Sequence, residues 1–155
     1  MSLDRKKRQL KILELVATRP IRTQDELADA LSQEGWEVTQ SSVSRDISRL
    51  GLVKVDGIYT RPASTRLVEI ADPNERRLAE SVLTGDTAGD ALIVLHTPPG
   101  EAQRAGNALD LLAWPDVVGT IAGDDTIFIA VAHTAARDAV ARRLRALQGV
   151  GGAED

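Results

Sequence analysis

Between Arg61 and Asn74 the apolar periodicity of the chain breaks twice, at Arg61-Pro62-Ala63-Ser64-Thr65 and again at Asp72-Pro73-Asn74. Proline fixes φ and has no amide proton to donate, so neither a long helix nor a central strand runs through such a stretch. A chain of 155 residues divided there builds two small cores of roughly 70 to 80 residues in place of one medium core. Cores of that size are marginal alone, which makes self-association an expectation. The boundaries read from the sequence are a first domain over residues 1–66, a linker over 67–76 and a second domain over 77–155.

The two halves differ in charge. The formal net charge is −4, yet residues 1–66 hold 12 Lys and Arg against 9 Asp and Glu, which leaves 7 against 14 for the remainder. A basic half suits phosphate, because each Lys or Arg that neutralises one releases condensed counterions. An acidic half repels that same backbone and attracts cationic ligands. Charge alone is equally compatible with two solvated surfaces. With no Cys in the chain, disulfide frameworks, thiolate-held zinc, iron–sulfur clusters and thiol nucleophiles are excluded, and a reducing compartment fits. The opening MSLDRKKRQL is basic without an apolar segment, and no run of about 18 apolar residues follows, so neither a signal peptide nor a membrane span is read. A cytoplasmic protein is expected.

The first half reads as three helices and a hairpin. Ile12, Leu13, Val16 and Ala17 share one face of a helix from Arg5 to Thr18, which Arg19-Pro20 stops. Thr23 with Glu26 forms a capping box ahead of a second helix, whose stripe is Leu27 and Leu31, up to Gly35. Thr39 caps a third, with Val43, Ile47 and Leu50 at i, i+4 and i+7, and Gly51 closes it. Gln40, Ser41, Ser44, Arg45, Ser48 and Arg49 point away from that stripe, and Asp46 is the single acid on the helix. Leu52 to Arg61 then alternates around Asp56-Gly57, a strong signal for a tight hairpin. This is the pattern of a winged helix-turn-helix, in which the third helix enters the major groove. There Arg donates bidentately to guanine, Gln pairs with adenine, and hydroxyls meet phosphate. Arg45 and Gln40 are the base-reading candidates and Ser44 a phosphate contact; Lys6, Lys7 and Arg8 are candidates for the DNA backbone. Three helices and a hairpin also build protein-binding modules, and a polar helix face is also what solvent selects.

The second half reads as ββαββα. A strand is assigned over Leu78 to Gly85 and another over Ala91 to His96, then a helix from about Glu101 to Ala113 after Pro98-Pro99-Gly100. Strands over Val117 to Ala122 and Thr126 to Ala132 flank Gly123-Asp124-Asp125, and a last helix runs from Thr134 to Gln148 with Gly149 as its stop. The class is α+β: an N-terminal winged helix plus a small C-terminal α/β domain with an antiparallel sheet and two helices on one face. The uncovered sheet face or edge suits a second subunit. Gln103, Asn107 and Asp110 form a polar stripe on the helix after Pro99, opposite Ala102, Ala105, Leu109 and Leu112. Asp124 and Asp125 are adjacent carboxylates whose repulsion a shared cation relieves. Acids also suit turns and surface helices for solvation alone. The functional alternative is a pocket for a guanidinium, whose planar donors match a carboxylate side by side.

Three segments carry a family likeness: Thr39-Gln40-Ser41-Ser42-Val43-Ser44-Arg45-Asp46, Thr97-Pro98-Pro99-Gly100-Glu101-Ala102-Gln103, and Val118-Gly119-Thr120-Ile121-Ala122-Gly123-Asp124-Asp125-Thr126. The chain resembles the bacterial arginine repressor family over nearly its full length. The resemblance implies a winged-helix DNA-binding domain joined to a ligand-binding, oligomerising domain. It further implies a homohexamer of two trimers, with L-arginine bound between trimers as corepressor and no other cofactor. The DNA-binding set it suggests is Gln40, Ser41, Ser42, Ser44, Arg45 and Arg49, and the L-arginine set is Gln103, Asp110, Asp124 and Asp125, with Asp125 the foremost guanidinium contact. Gly106, Glu101 and Trp114-Pro115 depart from the family pattern.

The function so implied is an arginine-dependent, sequence-specific transcriptional regulator that represses arginine biosynthesis genes, with operator DNA as partner and no membrane. Two rivals remain at this point: an amino-acid sensor whose winged helix binds protein, and a metal-dependent enzyme using Asp124 and Asp125. The enzyme lacks a third convincing ligand and a nucleophile motif, and His96 and His133 each sit at or beside a strand end.

Overall fold

In the computed structural model the described residues are 3–61 and 70–148. The chain divides into two compact units, Met1–Ala63 and Ser64–Asp155. Pro62 to Thr65 of the first break, residues 66–69 and the helix stop assigned to Gly149 lie outside the described residues.

The first unit contains α1 (Leu3–Thr18), α2 (Gln24–Gln33), α3 (Gln40–Leu50), β1 (Val53–Val55) and β2 (Ile58–Thr60). Ile12, Leu13, Leu15 and Val16 of α1, Leu27 and Leu31 of α2, and Val43 and Ile47 of α3 are buried together with Ile21, Leu52 and Tyr59. The caps show how local chemistry sets the helix ends. Thr23 Oγ1 accepts from Glu26 N at 3.0 Å, but the Glu26 carboxylate reaches Arg22 N at 2.7 Å and not the Thr23 amide, one residue beyond the box read from the sequence. At α3 the box is closed by Thr39 and Ser42, each side chain accepting the other's backbone N–H at 3.1 Å. Gly51 ends α3 in the left-handed region at φ 67°, where a side chain is strained. Asp56 and Gly57, at φ 53° and 77°, turn β1 into β2, and Tyr59 N–H donates to Ile21 O at 2.8 Å to fasten the hairpin behind the helices. Thr39→Ala removes the acceptor that satisfies the first turn of α3. It is expected to lower stability by about 1 kcal/mol, read as a lower thermal midpoint of the first unit by circular dichroism.

The second unit contains α4 (Pro73–Ser81), β3 (Thr84–Ala88), β4 (Leu92–His96), α5 (Ala102–Leu112), β5 (Val117–Ala122), β6 (Thr126–Val131) and α6 (Thr134–Leu147). Of the strand assigned to Leu78–Gly85, only Thr84 and Gly85 are strand, opening β3, while Leu78–Ser81 is helical. Asp72 caps a helix instead, accepting from Asn74 N at 2.7 Å and Glu75 N at 3.3 Å, with Pro73 at its first position, where the missing amide proton costs nothing. The domain therefore reads αββαββα, with three helices where two were expected. All neighbours in the sheet, order β3-β4-β6-β5, are antiparallel. Ile93 and Leu95 of β4 and Ile127, Ile129 and Val131 of β6 face Leu78, Ala105, Leu109, Val140 and Leu144 from the helices. Trp114 is also in this core, its ring under the Arg143 guanidinium at 4.3 Å, and Arg143 pairs with Glu75 at 3.3 Å. The opposite sheet face is uncovered: Ile121 is 76% exposed, Val118 72% and Phe128 49%, with Ile121 and Phe128 paired across β5 and β6. Among the described residues no helix is long and apolar enough to cross a membrane.

Candidate DNA-reading face and ligand cleft

Helix α3 has two chemically distinct sides. Val43, Asp46 and Ile47 are buried, whereas Gln40, Ser41, Arg45, Ser48 and Arg49 are exposed and Ser44 is half-buried. Gln40, Ser41 and Ser44 line a shallow cleft with Gln24, the first residue of α2. Gln24 was not singled out from sequence; its place at the start of the neighbouring helix is its only local signal. Ser42, in contrast, is engaged in the N-cap, its hydroxyl also donating to Thr39 O at 2.9 Å. Among the described residues Arg45 and Arg49 form no ion pair, which leaves both guanidiniums available to an outside acceptor.

The inner side carries a polar group that the sequence reading left unexplained. Asp46, 1% exposed, receives Arg8 Nε at 2.6 Å, Arg8 Nη2 at 3.2 Å and Gln9 Nε2 at 3.2 Å. The Arg8 guanidinium is thus engaged by Asp46 inside the unit, which leaves Lys6 and Lys7 as the better candidates for the DNA backbone. The hydrogen bond to Asp46 raises the Arg8 pKa above its ordinary value, against the opposing effect of burial. A signal existed: Asp46 falls three residues after Val43, on the stripe that Ile47 and Leu50 share, and Arg8 falls four before Ile12 on α1. A charged residue on each of two apolar stripes is a pairing expectation.

In the second unit the polar stripe of α5 is where the sequence placed it. Gln103, Asn107 and Asp110 line a cleft of about 180 Å³ with Gly106, Thr120 and Ala122. Gln103 Nε2 donates to Ala122 O at 2.7 Å, and Thr120 Oγ1 donates to Asp110 Oδ1 at 2.7 Å, so β5 forms the far wall. Gly106 has a physical reason here. A Cβ at this position would lie 3.3 Å from the Ala122 Cβ, tighter than ordinary contact, so glycine lets helix and strand approach. Thr120, Ala122 and Gly106 are wall residues that sequence reasoning did not assign to the site.

Asp124 and Asp125 do not line that cleft. They form the β5–β6 turn, which is bonded to the start of α5: Asp124 O accepts from Gly100 N at 3.0 Å and Ala102 N at 3.2 Å, and Asp125 O accepts from Thr97 N at 2.8 Å. The Asp125 carboxylate accepts the Thr126 hydroxyl at 2.8 Å, and His96 Nδ1 lies 3.4 Å from Thr126 Oγ1. Among the described residues Asp124 has no cationic partner, and no group of three His, Cys, Asp or Glu able to hold a metal occurs. His133 caps α6, its Nδ1 accepting from Ala136 N at 3.1 Å. The arrangement offers two amides and one carboxylate in a cleft and two carboxylates on a turn outside it, an acceptor-rich set suited to a ligand rich in N–H groups.

Comparison with known proteins places both units in one family. Residues 3–61 match the profile "Arginine repressor, DNA binding domain" and residues 78–146 match "Arginine repressor, C-terminal domain". The protein named arginine repressor in Symbiobacterium thermophilum is 46% identical over 145 residues, 91% of this chain and 96% of its own length. That of Heliobacterium modesticaldum is 42% identical over 144 residues, 90% of this chain and 95% of its own. That of Carboxydothermus hydrogenoformans is 48% identical over 128 residues, 79% and 85% respectively.

Proposed function

The chain belongs to the arginine repressor family, a family of transcription regulators and not of enzymes, and from this premise we propose that it represses arginine biosynthesis genes with L-arginine as corepressor. Gln40, Ser41, Ser44, Arg45 and Arg49 meet operator DNA, Arg45 and Gln40 at base edges and the hydroxyls at phosphate. Ser42 contributes to this face by fixing the first turn of α3. Gln103, Asp110, Asp124 and Asp125 hold L-arginine. The observation that carries this reading is the split of the candidate ligand set: Gln103 and Asp110 share a cleft while the Asp124-Asp125 turn stands outside it with carboxylate capacity to spare. A ligand with charged groups at both ends suits a site completed by a second subunit.

The assembly is a hexamer of two trimers, and the uncovered apolar sheet face of Ile121, Val118 and Phe128 supports burial between subunits. L-arginine neutralises carboxylates brought together at the trimer–trimer interface and so favours the form that offers several DNA-binding units at once. A ligand stabilises the state it binds by about 2.7 kcal/mol at a hundredfold excess over its Kd, enough to shift a balanced assembly roughly a hundredfold. Linkage is reciprocal, so operator DNA tightens L-arginine binding in turn.

Light scattering at micromolar protein tests this, with millimolar L-arginine and with citrulline as the uncharged control. The expected result is that L-arginine alone converts trimers to hexamers or holds hexamers together on dilution. A mass that stays monomeric and indifferent to L-arginine would remove the sensing role from the second unit.

A further inference from the structure

The third helix of a reading module must be aimed as well as formed. Apolar packing through Val43 and Ile47 holds α3 against the core but is non-directional, so a small rotation about the helix axis costs it little. The Asp46 cluster is directional. Both carboxylate oxygens are taken by one guanidinium, Arg8 Nε on Oδ2 at 2.6 Å and Nη2 on Oδ1 at 3.2 Å, and Gln9 Nε2 adds a third bond at 3.2 Å. Two consecutive residues of α1 thus grip one buried side chain of α3, and that side chain is the immediate neighbour of exposed Arg45. Stability is a weak reason for such an arrangement, because apolar residues of similar volume often replace a buried ion pair at no cost. A fixed angle is a better one, since bidentate charge-assisted pairs add geometric specificity.

From this geometry we infer that Asp46, held by Arg8 and Gln9, is the positioning residue that fixes the rotation of α3 and therefore the aim of Arg45 and Gln40 at base edges. The inference rests on the reading of the first unit as DNA-binding. Its consequence is that selectivity for sequence, and not attraction to DNA in general, depends on a residue that touches no DNA.

The test uses the full-length chain with millimolar L-arginine present throughout, and a duplex enriched by the wild-type protein from a random-sequence library, with a scrambled duplex of equal length as control. The double variant Arg8→Met with Asp46→Leu keeps the net charge and fills the same space. Expected are a thermal midpoint close to wild type, affinity for the scrambled duplex within twofold, and a loss of at least fivefold in the ratio of enriched to scrambled binding. An unchanged ratio in the folded double variant overturns the inference while leaving the DNA-binding reading in place. Failure of the wild-type protein to enrich any duplex overturns both. If the double variant loses its thermal transition, Asp46→Asn carries the same comparison: a threefold loss of the ratio upholds the positioning role and an unchanged ratio rejects it.

Discussion

Asp125→Asn is expected to weaken L-arginine binding by about two orders of magnitude, close to 3 kcal/mol, while leaving the fold intact. The neutral amide loses the attraction to a guanidinium, and its NH2 group confronts N–H donors where an acceptor stood. Hydrogen bonds to charged groups are worth roughly 1.5 to 3 kcal/mol, so this one exchange accounts for most of the loss. The fold is spared because the backbone bond from Thr97 N to Asp125 O is untouched, and the amide oxygen still accepts the Thr126 hydroxyl. Calorimetric titration of L-arginine and of citrulline reads the effect. Wild type is expected to prefer L-arginine strongly and the variant to lose that preference, and an isotherm unchanged by the substitution would remove Asp125 from the site.

Arg45→Ala is expected to abolish sequence preference and to spare L-arginine binding. A bidentate contact to guanine discriminates by about 1 to 3 kcal/mol, and in an assembly that engages several half-sites the losses compound. Arg45 is exposed and in no ion pair among the described residues, so its removal leaves no buried partner unsatisfied and the thermal midpoint should stay within a few degrees of wild type. Weak binding to random duplex persists, with a slightly shallower salt dependence, because one cation is lost among several. Footprints that keep their sequence specificity in the variant would move the reading role to another residue of the helix.

How far the sequence revealed this architecture depended on where the signals lay. Helices α1 to α3 and the Asp56-Gly57 hairpin are written in local terms, with caps, stripes and a turn dipeptide within a few residues of one another. Helix α4 was hidden because Asp72-Pro73 signals an ending and a beginning equally well, and because Leu78 and Val82 satisfy a helical stripe as readily as a strand. Strand β3, Thr84–Ala88, has almost no apolar content and exists through its pairing with β4, which no local pattern encodes. The same division holds at the sites. The stripe of Gln103 and Asp110 was visible as a helical interval, whereas the wall supplied by Thr120, and the separation of the cleft from the Asp124-Asp125 turn, arise from packing of distant segments. Asp46 and Arg8 each fall on an apolar stripe, a signal for a buried pair, whereas the third bond from Gln9 arises from how α1 and α3 pack.

The bonds that join the Asp124-Asp125 turn to residues 97–102 bear on the thermodynamics of the proposed ligand binding. A detector mounted on a loose loop must freeze that loop at each binding event, at a cost of roughly 1 to 2 kcal/mol for every backbone residue ordered. Here the backbone of the turn is ordered during folding, by the bonds that Asp124 O and Asp125 O accept from residues 97–102. On the proposed reading of Asp125 as an L-arginine contact, binding carries no cost of ordering this backbone, and a small change in heat capacity is expected beyond that of the proposed subunit interface.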